Sequence, residues 1–250
     1  MDTPPPIIEL IGAPGSGKTT LVQQLARSST LHPRPESASI AKVRRLAGEI
    51  RGKSRLAAFG YTTACAIPPL RYILAEQLTP SSAWRALADR NEDLIPVIEH
   101  AHHELGHLRG DAPQIARRIH LLYRACLDVA LIQTHQDKTP TAPILCDESI
   151  TQASIALALH HPHPKDYLDR YLAIRNQAPS APLRIIYCQI DTNLATQRIH
   201  QRNQPLYDHI SKISGYIDLA EHSTASARYF TSTTTTPWDD IAERLRQLIR

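Results

Sequence analysis

The run Gly12-Ala13-Pro14-Gly15-Ser16-Gly17-Lys18-Thr19 fits G-x-x-x-x-G-K-[ST] at every fixed position. Residues of these types at this spacing suit one task, the holding of a polyphosphate. The glycines let the backbone turn and approach an anion where side chains would intrude. The loop N–H groups then converge on the phosphates at the positive end of the helix that follows. Lys18 would bridge the β- and γ-phosphates, and Thr19 would hold Mg²⁺. The contact set expected for the nucleotide is Gly12, Ala13, Pro14, Gly15, Ser16, Gly17, Lys18, Thr19 and Thr20.

The context agrees with the motif. An apolar run at 7–11 reads as a short buried strand, and Leu21, Val22 and Leu25 recur at helical spacing behind the loop. A second element of the same chemistry lies far downstream. The apolar run Ile144-Leu145-Cys146 ends in Asp147-Glu148-Ser149. Asp147, directly at the strand end, could reach the Mg²⁺ shell beside Thr19. Glu148 could orient a nucleophile or accept its proton. Further on, Arg198 and Arg202 are four residues apart and share one helix face. Two guanidinium groups there would offset charge on a phosphoryl group in transfer, with Arg198 also touching the nucleotide.

The elements needed to position these groups are legible as a pattern. Apolar strand-like runs fall at 7–11, 143–146, 183–190 and 227–231, with a poorly marked one near 31–36. Helical spacing covers 38–50, 70–78, 82–87, 91–108, 112–134, 150–159, 165–176, 194–201 and 238–249. The fold expected is α/β, a three-layer P-loop NTPase fold with a central parallel sheet of about five strands flanked by helices. Residues 1–250 form one domain in this reading, with 38–136 as a helical insertion over the carboxyl edge of the sheet. Ligands bind at that edge in open α/β folds, so the insertion is the expected acceptor-binding and lid region.

The order of loop, acid-ended third strand, D-x-x-x-x-x-x-R-x-x-x-R from Asp191 to Arg202, last strand and amphipathic C-terminal helix resembles the thymidylate kinase and deoxynucleoside kinase group of P-loop kinases. The resemblance covers 7–26, 144–149, 183–202 and 227–250. It implies an ATP-dependent, Mg²⁺-requiring phosphotransferase, often dimeric, whose Arg-rich helix leads into a lid. It also implies that the loop at 231–237 lies beside the adenine. Both groups carry an arginine where this chain has Glu148. The resemblance therefore stops short of the acceptor, a small-molecule hydroxyl or phosphate of unassigned class. Deoxynucleoside kinases carry a Glu-Pro after the second strand whose Glu is the base. Arg34-Pro35-Glu36-Ser37 falls near that place, which makes Glu36 a further base candidate.

Two other classes stay open. A regulatory ATPase or nucleotide switch would use Glu148 to orient water and would bind a protein partner. No N-K-x-D guanine-reading motif occurs. A zinc protease would use His103-Glu104-Leu105-Gly106-His107, an H-E-x-x-H with two ligands on one helix face. The chain has 13 His, so this pattern is not very improbable by chance.

Bulk composition bounds the rest. A chain of 250 residues can bury a substantial core, and its formal charge of +4 suits an anionic substrate without calling for nucleic acid. Cys65, Cys126, Cys146 and Cys188 form no C-x-x-C, which suits a reducing cytosol. No apolar run approaches the ~18 residues of a membrane span, and the first residues lack a basic leader. A cytoplasmic protein with no membrane partner is the expectation.

Overall fold

The computed structural model describes residues 6–28, 30–66, 87, 94–106, 112–133, 142–147, 149–177, 183–201 and 212–249. Five parallel strands, β1 (Ile7–Ile11), β2 (Glu36–Ser37), β3 (Ile144–Cys146), β4 (Arg184–Cys188) and β5 (Arg228–Ser232), form one sheet in the order β2-β3-β1-β4-β5. The chain leaves β1 toward β2 on one side and later crosses to β4 on the other. The strand order thus reverses at β1, and the crevice above its carboxyl end is where open α/β sheets bind ligands.

Alternation along the strands sorts the core into two layers. Ile8 and Leu10 of β1, Leu145 of β3 and Ile186 of β4 face α1 (Lys18–Arg27) and the C-terminal helix α10 (Trp238–Ile249). Ile7 and Ile11, Ile144 and Cys146, and Ile185 and Tyr187 face the other layer. That layer is built from α4 (Ile95–Leu105), α5 (Ala112–Gln133), α6 (Ile150–Ala158), α7 (Pro164–Gln177) and α9 (Ile213–Thr224). Each fully buried Ile or Leu contributes about 1.5–3 kcal/mol. The sheet therefore holds its helices from both faces, and the molecule is a three-layer α/β structure.

Four described helices lie between β2 and β3: α2 (Ala38–Lys53), α3 (Arg55–Ala66), α4 and α5. Helices expected at 70–78 and 82–87 fall outside the described residues, apart from Leu87. The strand expected at 31–36 is instead two residues long, Glu36–Ser37, because Ser37 already caps α2 by accepting the Ile40 N–H. α3 and α9 had no counterpart in the sequence pattern. α3 leaves Leu56 and Phe59 exposed and so lacks a clean apolar stripe. α9 carries Gly215 together with Ser214, Ser223 and Thr224, all of low helix propensity, yet buries Ile213, Tyr216, Leu219 and Ala220. Tertiary burial decides both. No described helix is long and apolar enough to cross a membrane.

One residue breaks the apolar run of β1. Glu9 is 1% exposed and points into the helical layer. Its carboxylate accepts the Thr151 N–H at the start of α6 at 2.9 Å and pairs with Arg175 of α7 at 3.1 Å. Thr151 Oγ1 in turn bonds the Tyr171 hydroxyl at 2.8 Å. A charge buried mid-strand persists only when paired and hydrogen-bonded, and this pairing docks the start of α6 against the strand that leads into the glycine loop.

Removing the countercharge should therefore be costly. Arg175→Met leaves the Glu9 carboxylate buried without its partner and is expected to lose about 3–5 kcal/mol of stability. Urea unfolding measures it. The double variant Glu9→Gln with Arg175→Met should recover part of that loss, and equal losses in both would refute the pairing.

Candidate phosphate-binding site

The loop after β1 closes as a cradle. Gly12, Gly15 and Gly17 have φ of 147°, 83° and 91°. At Gly12 space is also short, because a Cβ would lie 2.4 Å from the carbonyl oxygen of Cys188, the last residue of β4. Only glycine lets β1 hand over to the loop this close to β4. Gly17 precedes α1 in left-handed geometry, which turns the chain directly into the helix. The first turn of α1 has no side-chain cap and no acidic residue. Its amide dipoles are thus presented toward the loop.

Lys18 folds back over this cradle. Its Nζ donates to the Gly12 carbonyl at 2.7 Å, the Ala13 carbonyl at 3.1 Å and the Ser16 hydroxyl at 3.5 Å. The loop is tightened by the Ser16 N–H on the Ala13 carbonyl at 3.1 Å. The ammonium is thereby held over the loop by fixed dipoles. Thr19 and Thr20 stand exposed at the start of α1.

The other sequence candidates divide. Asp147 follows β3, the strand beside β1, and is half-buried. Burial pushes the Cys188 thiol up to about 12, with Lys18 opposing and Asp147 adding to the shift. The lysine and the carboxylate therefore both act on one point beneath the loop. Arg198, on α8 (Thr192–Gln201), donates to the Gly15 carbonyl at 3.0 Å, so it braces the cradle itself. Its helix is capped by Asp191, whose carboxylate accepts from the Asn193 and Leu194 amides at 2.8 and 3.3 Å. Glu36 lies at the register of Ile144, three residues before Asp147 on the adjacent strand, and pairs with Arg44. Glu148, Arg202 and His107 lie outside the described residues.

A cavity of about 620 Å³ opens from the cradle. Gly15, Ser16, Gly17 and Thr20 form one wall, Arg198 and Gln201 a second, and the turn from Ser232 to Trp238 a third. That turn braces itself: the Thr233 N–H donates to the Thr236 hydroxyl at 2.8 Å, and the Thr236 N–H donates to the Thr233 carbonyl at 3.2 Å. The volume lies in the range of small-molecule sites.

The H-E-x-x-H segment has different surroundings. Glu104 is held by Arg170 at 2.8 Å and by His161 at 3.4 Å, and His103 projects outward. The carboxylate that would serve as a protease base is thus the centre of an ion-pair cluster. Among the described residues, no group of three His, Cys, Asp or Glu side chains could hold a metal ion.

Sequence reasoning missed two residues at the loop. Gln152 of α6 accepts the Gly12 N–H on Oε1 at 3.1 Å and donates from Nε2 to the Gly12 carbonyl at 3.2 Å. Tyr216 of α9 contacts the same Nε2 and donates its hydroxyl to the Gln152 carbonyl at 3.0 Å. Neither belongs to a motif: Gln152 reaches Gly12 across 140 residues of chain and Tyr216 reaches Gln152 across 64, so no local signal marks them.

The close packing at Gly12 makes a direct forecast. Gly12→Ala should cost about 1–3 kcal/mol by forcing β1 from β4. Gly48→Ala, in α2 with nothing near its added Cβ, should be neutral or stabilising by up to about 1 kcal/mol. Urea midpoints of the two variants compare them, and equal effects would contradict the packing argument.

No protein-family model matches the chain, and no curated protein does. Among solved structures the chain is similar to a deoxyadenosine kinase from M. mycoides, solved with bound dATP, at 11% identity and a TM-score of 0.44. The match covers 96% of this chain and 97% of that one.

Proposed function

We propose that the protein is a phosphotransferase that moves a phosphoryl group from ATP to a hydroxyl or phosphate of a small molecule. One observation carries this reading: the Lys18 ammonium is held on the Gly12 and Ala13 carbonyls of a positive-φ glycine loop, and Gly15, Ser16 and Gly17 of the same loop line a cavity of about 620 Å³. Loop amides and Lys18 would take the phosphates. The nucleoside would fill the cavity, against Trp238 and the threonine turn at 233–236.

Thr19 and Asp147 supply a hydroxyl and a carboxylate, hard oxygen donors of the kind Mg²⁺ takes. Mg²⁺ held by these two residues would supply charge neutralisation. Arg198 comes from the same chain and already contacts the loop, which supports a kinase acting in cis over a switch completed by a partner's arginine. By bracing Gly15 it would hold a loop amide in place, and small shifts of its guanidinium would bring it to the phosphates. Asp147, Glu148 and Glu36 are the candidate bases for the acceptor hydroxyl. Of the two that are described, Asp147 stands nearer in register to the loop, whereas Glu36 would first have to leave Arg44. Phosphoryl transfer depends mainly on positioning and charge, which this set supplies. The segment 38–136 would provide the acceptor site.

The test is label transfer from [γ-³²P]ATP with Mg²⁺ to a panel of nucleosides, nucleotides, sugars and aminoglycosides. Label should appear on one acceptor class, and Lys18→Ala should reduce the rate by about 10²–10³-fold with an unchanged unfolding midpoint. Transfer undiminished in Lys18→Ala would reject the reading. Phosphate release that depends on Lys18 but on no acceptor would favour a regulatory ATPase.

A further inference from the structure

Gln152 lies in the third position of α6, behind the Ser149 cap, and both ends of its carboxamide engage one peptide group. It accepts the Gly12 N–H and donates to the Gly12 carbonyl, the pattern a neighbouring strand would make. That carbonyl is also the shortest contact of the Lys18 ammonium, at 2.7 Å. One oxygen with two lone pairs thus serves two donors, one neutral and one charged. This oxygen gives the shortest of the three hydrogen bonds that hold the ammonium on the loop.

The carboxamide is itself held. Tyr216 touches its Nε2 and bonds the Gln152 backbone carbonyl. Tyr216 is 5% exposed, and burial raises its pKa, so it stays a neutral hydroxyl. Arg118 of α5 acts on it electrostatically from a third helix. The start of α6 is in turn seated by Glu9 through Thr151. Gln152 is therefore fixed from β1, α6 and α9 while it grips the loop.

We propose that Gln152 is a positioning residue: it fixes the Gly12 peptide and, by sharing the Gly12 carbonyl with Lys18, places the Lys18 ammonium for polyphosphate, with Tyr216 as its clamp. The part that concerns polyphosphate rests on the phosphotransferase reading above; the fixing of the Gly12 peptide does not.

Gln152→Met keeps the side-chain length and removes both hydrogen bonds. Amide hydrogen exchange, followed in the full chain without nucleotide, should speed up about 10-fold over residues 12–17 and nowhere else in the sheet. The affinity for a fluorescent ATP analogue with Mg²⁺ should weaken about 10-fold. In a Lys18→Ala background the same substitution should change affinity by less than about 2-fold, because its effect passes through Lys18. Tyr216→Phe should show the same pattern at smaller size, and it carries the test if Gln152→Met does not fold. Unchanged exchange over residues 12–17 overturns the proposal. So does an equal loss of affinity in both backgrounds, which marks a general structural role. If the wild-type chain binds no nucleoside triphosphate, the phosphotransferase reading fails, and the exchange result still decides the clamp.

Discussion

The contact between Gly12 and the Cys188 carbonyl constrains everything around the loop. With a Cβ separation of only 2.4 Å available, no side chain fits, and the end of β1 is pressed against the end of β4. That contact brings the start of α8 to the loop, since α8 follows β4 after a short turn. Arg198 then reaches the Gly15 carbonyl, and the cavity gains its second wall. Relaxing this one approach would move the loop, α8 and the cavity together.

Charge is arranged in two tiers around the same point. Below the loop, Glu9 is buried and neutralised by Arg175, and it spends its second oxygen on the start of α6. At the loop, Lys18 is held on backbone carbonyls. The lower tier is a structural cost met by full hydrogen bonding. The upper tier is a cation whose position is fixed by backbone dipoles. α6 joins the tiers, because Thr151 takes Glu9 and the adjacent Gln152 takes Gly12.

The glycine loop could be read from residue order because its chemistry demands fixed types at fixed offsets. The apolar strands, and the helices that bury one clear stripe, were legible for the same reason: α10 begins and ends where the periodicity says. Glu9, Gln152 and Tyr216 were not, since their meaning arises only when distant elements pack. A lone glutamate inside an apolar strand was the one available hint of a buried partner. β2 was misplaced because a two-residue strand leaves almost no pattern. The H-E-x-x-H segment shows the reverse failure, a local pattern whose central carboxylate is claimed by Arg170 and His161 from elsewhere in the fold.

A site anchored on phosphate must rank ligands by their phosphates. The most direct measurement is calorimetric titration of the full chain with adenosine, AMP, ADP and ATP in the presence of Mg²⁺. Affinity should rise along the series, with ATP at least about 10-fold tighter than AMP and adenosine weakest. Adenosine binding as tightly as ATP would contradict a phosphate-anchored site and would leave the glycine loop without the role assigned to it.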